Sequence, residues 1–414
     1  MFYYFNKNNF ILKCLIIAFF ILFFKLNIKS QTFTELNDNN LTNIDIKTGA
    51  ERTDLYFPLL KNKKIAIVAN QTSMIAGVHL VDSLLSAGFT IVHIFCPEHG
   101  FRGEAEAGES IDNNIDTKTG LPVISLHGKN RKPAKKDLQG IDIVIFDIQD
   151  VGVRFYTYIS TLSYMMEACA ENNISLLVLD RPNPNGYYID GPVLKPEQKS
   201  FLGLHPIPLV HGLTVAEYAL MVNGEGWLVN GIKCDLKIVE VSGYNHSYFY
   251  SLPVKPSPNL PVMAAVYLYP SLGLFEGTVM SIGRGTDFPF QLIGHPDLKQ
   301  GEFTFTPQSM KGMSSHPLYE GKVCYGYYLK DFAEIYIRNI KQIYLFWLLE
   351  TYRLLKDKTE FFTPAFDKHS GDPQLKKDII AGKSEAEIRS RWTEDLNNYK
   401  KIRKKYLLYP DFEK

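Results

Sequence analysis

Pro97-Glu98-His99-Gly100 follows directly on an aliphatic run, TIVHIFC (90–96), and sets a carboxylate beside an imidazole at its end. A carboxylate among apolar neighbours such as Phe95 and Phe101 holds its proton more tightly, which equips it as a proton donor near neutral pH. Read as plain loop, the same Glu98 caps the turn that follows. Three more runs end in the same kind of polar burst: KIAIVANQTS (64–73), DIVIFDIQDVGVRFYTY (142–158) and SLLVLDRPNPNG (175–186). Their tips carry Asn70, Arg102, Asp147, Gln149, Asp150, Arg154, Asp180, Arg181 and Asn183. So many polar groups at the ends of apolar runs cost desolvation unless they are used. The expectation is one crevice shaped for a polar, hydroxyl-rich ligand.

The elements that position these groups read as buried parallel strands, too apolar for half-solvated ones. Helical patterns lie between them at 79–89 and 161–173, giving βαβ order and a Rossmann-like, doubly wound α/β domain over about 47–230. Thr214 with Glu217 three positions on predicts a capped helix near 215–228. The part from 231 to 414 changes character and reads as a smaller α+β subdomain. It holds strand-like 234–244, a Pro- and Gly-dense stretch (252–296) expected to be irregular loop, strands near 303–310 and 323–329, an apolar helix at 343–355, and a long helix from Ser384 with Glu387 as its capping partner. Glu276 and Arg284-Gly285-Thr286-Asp287 sit in the loop-rich stretch, where glycines permit close approach of a ligand, and His211, Asn259, Tyr267 and Tyr269 join them as candidates.

Several functions are excluded or disfavoured. Net charge is +1, so nothing draws the chain to nucleic acid. No G-x-G-x-x-G follows the first strand and no P-loop string exists, so no nucleotide cofactor is expected. His93, Cys96, Glu98 and His99 lie within seven positions, but His93 and Cys96 face opposite sides of an extended strand, and a zinc site needs three or four convergent ligands. No metal is expected. The wide spacing of Cys96, Cys169, Cys234 and Cys324 assigns no disulfide. Residues 1–30 pair a basic head with the apolar run CLIIAFFILFF (14–24), too short for a comfortable membrane span and matching a secretory signal; an uncleaved anchor is the alternative, and 31–46 reads as a linker. The expected location is the periplasm or cell envelope.

The strings GAERTD (49–54), VANQTS, FCPEHGFRGEAEAGE, VIFDIQDVGVRFYTYI, LDRPNPNG, DGPVL, HGLTVAEYA, SPNLP, YPSLGLFEGT and SIGRGTDFPFQLIG together resemble the NamZ family of exo-β-N-acetylmuramidases. The resemblance runs from about residue 47 to the C-terminus. It implies a Rossmann-like subdomain and an auxiliary one with the site in a cleft between them, removal of a non-reducing terminal MurNAc from fragments such as MurNAc-GlcNAc, no nucleotide cofactor, and Glu98 as general acid. The second catalytic function stays open between the substrate's own acetamido group, oriented by Asp150 or Gln149, and a water activated by Asp150 or Glu276. The lactyl carboxylate needs a cation, for which Arg154 and Arg284 are the candidates. Asn70, His99, Arg102, Arg181, Asn183 and His211 suit the remaining polar contacts. The rival reading is a secreted peptidoglycan- or sugar-binding protein without catalysis.

Overall fold

The computed structural model describes residues 45–102 and 114–413. The expected signal segment, most of the linker, and Glu104, Glu106 and Glu109 of the RGEAEAGES loop lie outside the described residues. From Ile46 onward the chain forms one compact unit.

Seven strands form the central sheet in the order β5-β6-β4-β1-β7-β8-β9. They are β1 (Lys64–Ala69), β4 (Thr90–Cys96), β5 (Asn114–Ile115), β6 (Pro122–Ser125), β7 (Ile143–Asp147), β8 (Ser175–Leu179) and β9 (Leu236–Val239), with β2 (Met74–Ile75) and β3 (Val78–His79) as a separate small hairpin. All neighbours in the sheet are parallel except β5 against β6. Leaving β5 aside, the chain runs outward from β1 on one side and then the other, the doubly wound order. Side chains alternate between two cores. Ala66, Val68, Phe95, Val144, Phe146, Leu176 and Val178 pack on one face, and Ile65, Ile67, Ile94, Ile143, Ile145, Leu177 and Leu179 on the other. Burial on both faces explains why the runs lack a polar alternation.

Helices α1 (Thr53–Leu60), α2 (Leu80–Ser86), α3 (Tyr158–Glu171) and α4 (Val215–Gly224) accompany this sheet. Thr214 accepts from Glu217 N and Glu217 reaches back to Thr214 N at 2.9 Å, the expected capping box. The 234–244 strand completes the main sheet beside β8, so a division at 230/231 separates β9 from its partners. Beyond it come α5 (Met263–Leu272), a three-stranded antiparallel sheet of β10 (Leu292–His295), β12 (Cys324–Tyr328) and β11 (Phe303–Phe305), and helices α6 (Phe346–Leu355), α7 (Phe366–Ser370), α8 (Pro373–Ile380) and α9 (Glu385–Arg403). Ser384 and Glu387 cap α9 as read.

The stretch 252–296 was expected to be loop and instead contains α5. Nine of its ten residues are buried, so no polar face marks it as helical in the sequence. Pro270 cannot donate to Val266 O, and Asn185 Nδ2 donates there instead at 3.2 Å while also bonding Val151 O at 2.9 Å. The C-terminal tail returns to the main sheet. Tyr409 OH accepts from Val241 N (2.8 Å) and donates to Asp180 Oδ2 (2.5 Å), and Leu408 N donates to Glu217 Oε1 (2.8 Å). Cys96, Cys169, Cys234 and Cys324 are buried free thiols.

Candidate active site

β4 ends in a tight turn. Gly100 N donates to Pro97 O at 3.1 Å, and His99 adopts a left-handed φ of 71° with Gly100 at 76°. A non-glycine residue in that region is strained, and strain of this kind concentrates where a side chain must be aimed. The turn presents Glu98 and His99 to a pocket of about 200 Å³. Phe155, Tyr156, Thr157 and Tyr158 at the start of α3 form one wall, Ser257, Asn259 and Leu260 another, and Tyr269, Glu276, Arg284, Phe290 and His369 close it, with Leu202 at its margin.

Glu98 is half-buried, and its Oε2 accepts from Thr157 Oγ1 at 3.3 Å. His99 Nε2 lies 3.3 Å from Ser257 Oγ. Across the pocket Arg284 Nη2 contacts Glu276 Oε1 at 2.5 Å, and its guanidinium lies 5.2 Å from the Phe290 ring centre. His369 Nε2 is 3.9 Å from Glu276 Oε2. Both partners of the Glu276–Arg284 pair keep about a quarter of their side-chain surface exposed (22% and 25%), so the pair is open to a ligand. Burial, followed by the negative charges of Glu276, Glu98 and Asp150 and against the pull of Arg284, drives the Tyr269 phenol far above its usual range, so it is a neutral donor. Tyr156 is likewise held neutral by burial, and its OH donates to Pro256 O at 2.7 Å.

Of the residues chosen from sequence, Glu98, His99, Asn259, Tyr269, Glu276 and Arg284 come together here. The others do not line the pocket, and each has a structural employer. Arg154 is fully buried. Its Nη1 donates to Pro192 O (2.8 Å) and Ile207 O (2.9 Å), its Nη2 to Ser370 O (2.5 Å) and His369 O (3.4 Å). Burial lowers its pKa to about 9, against the pull of Asp372, and leaves it charged at neutral pH. It holds the segment that carries His369 and is not placed to bind a substrate carboxylate. Asp150, expected as a second catalytic group, is buried and accepts from Gly152 N at 2.6 Å, with His211 Nε2 at 3.7 Å. Gly152 has a φ of 78°, and the Asn183 amide lies where a Cβ would be, so this turn accepts no side chain.

Arg181 forks onto Asp147 at 2.6 and 2.9 Å. Asn183 bonds Leu213 O and Asn185 N, and Gln149 Nε2 bonds Asp150 O and Pro182 O. Asn70 Oδ1 accepts from Thr72 N and Oγ1. The β1/β7 switch point, where open α/β sheets usually bind ligand, is filled by these groups: Ser73 Oγ bonds Asp147 O, and Gln149 N donates to Thr72 Oγ1. His211 accepts from Leu213 N, and its carbonyl takes the Tyr399 hydroxyl. Arg102 pairs with Asp116 at 2.9 Å beside the next hollow, away from Glu98. The reading from sequence missed Thr157, Ser257 and His369. Ser257 was visible within the SPNLP string, whereas His369 lies in a segment with no distinguishing pattern. Among the described residues no group of three or more His, Cys, Asp or Glu could hold a metal.

Comparison with known proteins identifies the family. Residues 65–264 match the family description "Exo-beta-N-acetylmuramidase NamZ, N-terminal" and residues 267–409 match "Exo-beta-N-acetylmuramidase NamZ, C-terminal". The chain is 39% identical over 378 residues to the peptidoglycan β-N-acetylmuramidase NamZ of Bacillus subtilis (strain 168), spanning 86% of this chain and 89% of that one. Crystal structures of two DUF1343 family proteins from Bacteroides fragilis superpose with TM-scores of 0.82 and 0.75, at 47% and 30% identity, covering 89% and 88% of this chain and 99% of each of theirs. On this evidence the chain belongs to the exo-β-N-acetylmuramidase NamZ family.

Proposed function

We propose that this protein is a glycoside hydrolase that removes a terminal, non-reducing β-N-acetylmuramic acid from peptidoglycan fragments, with Glu98 as general acid. The observation that carries the reading is the pairing, in one small pocket, of a half-buried glutamate on a strained strand-end turn with an accessible Glu276–Arg284 pair. Glycoside cleavage needs a proton on the leaving oxygen and stabilisation of an oxocarbenium-like state. Glu98, steadied by Thr157, supplies the proton. Tyr156, Tyr269, Phe155 and Phe290 give apolar ring surface for a sugar face. A pocket of about 200 Å³ is smaller than a drug-sized site of roughly 300–1,000 Å³ and accommodates one sugar, as exo-action on a chain end requires.

Arg284 takes the lactyl carboxylate, exchanging part of its contact with Glu276. Glu276 is then released to activate water or to orient the acetamido group; Asp150 and Gln149 are too enclosed for either role. No nucleotide cofactor or metal enters the scheme. The basic-headed apolar segment at the N-terminus directs the chain to the cell envelope, where its substrate lies.

The test is release of MurNAc from the MurNAc-GlcNAc disaccharide by purified protein and by Glu98→Gln. Turnover by the wild type and its loss in the near-isosteric variant support the assignment. Ligand binding with no release by the wild type establishes the non-catalytic alternative.

A further inference from the structure

The segment HGKNRKPAKK (127–136) concentrates five cations, Lys129, Arg131, Lys132, Lys135 and Lys136, in a chain whose formal net charge is only +1. It follows β6 at the carboxyl end of the sheet, on the same side as the Glu98 turn. Lys132 is committed to Glu167 and Glu171, at 3.1 and 2.7 Å. The remaining four cations are exposed. Such runs are commonly solvated surface, but two features distinguish this one. The Arg131 guanidinium lies 4.4 Å over the Phe201 ring, and Phe201 stacks nearly parallel (8°) on Tyr164 of α3, with centroids 6.1 Å apart. Leu202, the next residue, lines the Glu98 pocket, so the aromatic step adjoins its margin. Asn130 and Lys132, the residues on either side of Arg131 in the chain, line a second hollow of about 200 Å³ together with Ser125, Lys136 and Asp137.

Pocket, aromatic step and cationic hollow thus follow one another along the surface. We propose that they form a track for the leaving strand of a peptide-free peptidoglycan glycan. Tyr164, Phe201 and Arg131 support sugar rings, and Lys136 with its neighbours reads the lactyl carboxylate carried by the next MurNAc along. This inference rests on the muramidase reading and extends it to chain length. A glycan with a carboxylate on every second sugar is a regular polyanion, and a cationic strip beside the pocket raises its association rate in a salt-dependent way. Stacking on ring faces makes the track tolerant of sequence along the glycan, and the carboxylates set its register.

Purified full-length protein is assayed on the MurNAc-GlcNAc disaccharide and on a peptide-free hexasaccharide of three such repeats, with the Lys135→Glu/Lys136→Glu double variant alongside. The expected result is a kcat/KM advantage for the hexasaccharide of about tenfold, which falls to near parity in the double variant and at high salt, while disaccharide turnover is unchanged. Equal kcat/KM on both lengths in the wild type overturns the track, as does an advantage that survives the charge reversal. An equal loss on both substrates also overturns it, by making the segment a support of the pocket. Should the disaccharide prove inert, the muramidase reading fails separately. Hexasaccharide binding to Glu98→Gln protein by calorimetry then decides the track: loss of affinity on charge reversal supports it, and unchanged affinity rejects it.

Discussion

Replacing Arg154 with Met separates two roles that the sequence alone could not rank. Three close charge-assisted bonds, to Pro192 O, Ile207 O and Ser370 O, tie two loops of the first half to the end of α7. At about 2 kcal/mol each they total roughly 6 kcal/mol, and removing a buried charge returns about half of that as relieved desolvation. A net loss of about 3 kcal/mol is expected in urea unfolding. Ile207 O keeps a bond from Leu194 N, which limits the damage at that acceptor. Arg154→Lys recovers only part of the loss, because one ammonium cannot fork across both loops. At a temperature where the variant remains folded, KM for MurNAc glycosides relative to GlcNAc glycosides stays as in the wild type, since Arg154 does not face the pocket. Unchanged unfolding stability together with a selective rise in KM for the acidic sugar would refute the structural assignment and return Arg154 to the substrate.

Four further outcomes are expected. Glu98→Gln lowers kcat by about 10²–10⁴-fold on the MurNAc-GlcNAc disaccharide, whose leaving oxygen needs the proton, with thermal unfolding unchanged. Arg284→Ala raises KM for MurNAc glycosides about tenfold more than for GlcNAc glycosides, and equal effects on both would clear it of carboxylate recognition. Burial raises the Asp180 pKa from 3.8 to about 7, with the Tyr409 hydroxyl opposing it. The folded state therefore holds that proton more tightly than the unfolded chain, so this contribution to stability is complete below pH 4 and lost as pH rises through 7; Asp180→Asn flattens that slope in urea titrations run at pH 4–8. Asn185→Leu strips the side-chain donor shared by Val151 O and Val266 O and costs about 2 kcal/mol in the same measurement.

Strands β1, β4, β7 and β8 were legible because burial on both faces leaves unbroken aliphatic runs with abrupt ends, whereas β5 and β6 are too short to show a pattern. What those ends do was harder to read. A buried strand tip is polar either for a ligand or for its neighbour's backbone, and composition is the same in both cases. Here Asn70, Gln149, Arg181 and Asn183 serve their own and neighbouring tips, while Glu98 and His99, raised on the left-handed turn after β4, reach the pocket. Glu276 and Arg284 were recognisable as a charged pair among glycines. Helix α5 was hidden because its burial leaves no period and its proline signals loop. His369 was invisible because it reaches the pocket only through a segment fastened by Arg154, a contact between positions 215 residues apart.

The return of Tyr409 to Asp180 has a consequence for biogenesis. A polypeptide is made from its amino end, yet the β8 tip receives a hydroxyl from Tyr409, in the carboxyl-terminal tail. Nascent chains and prematurely terminated products therefore carry an open acidic seam at Asp180 and Glu217. Docking of the tail is therefore the step that closes the polar network between β8 and α4.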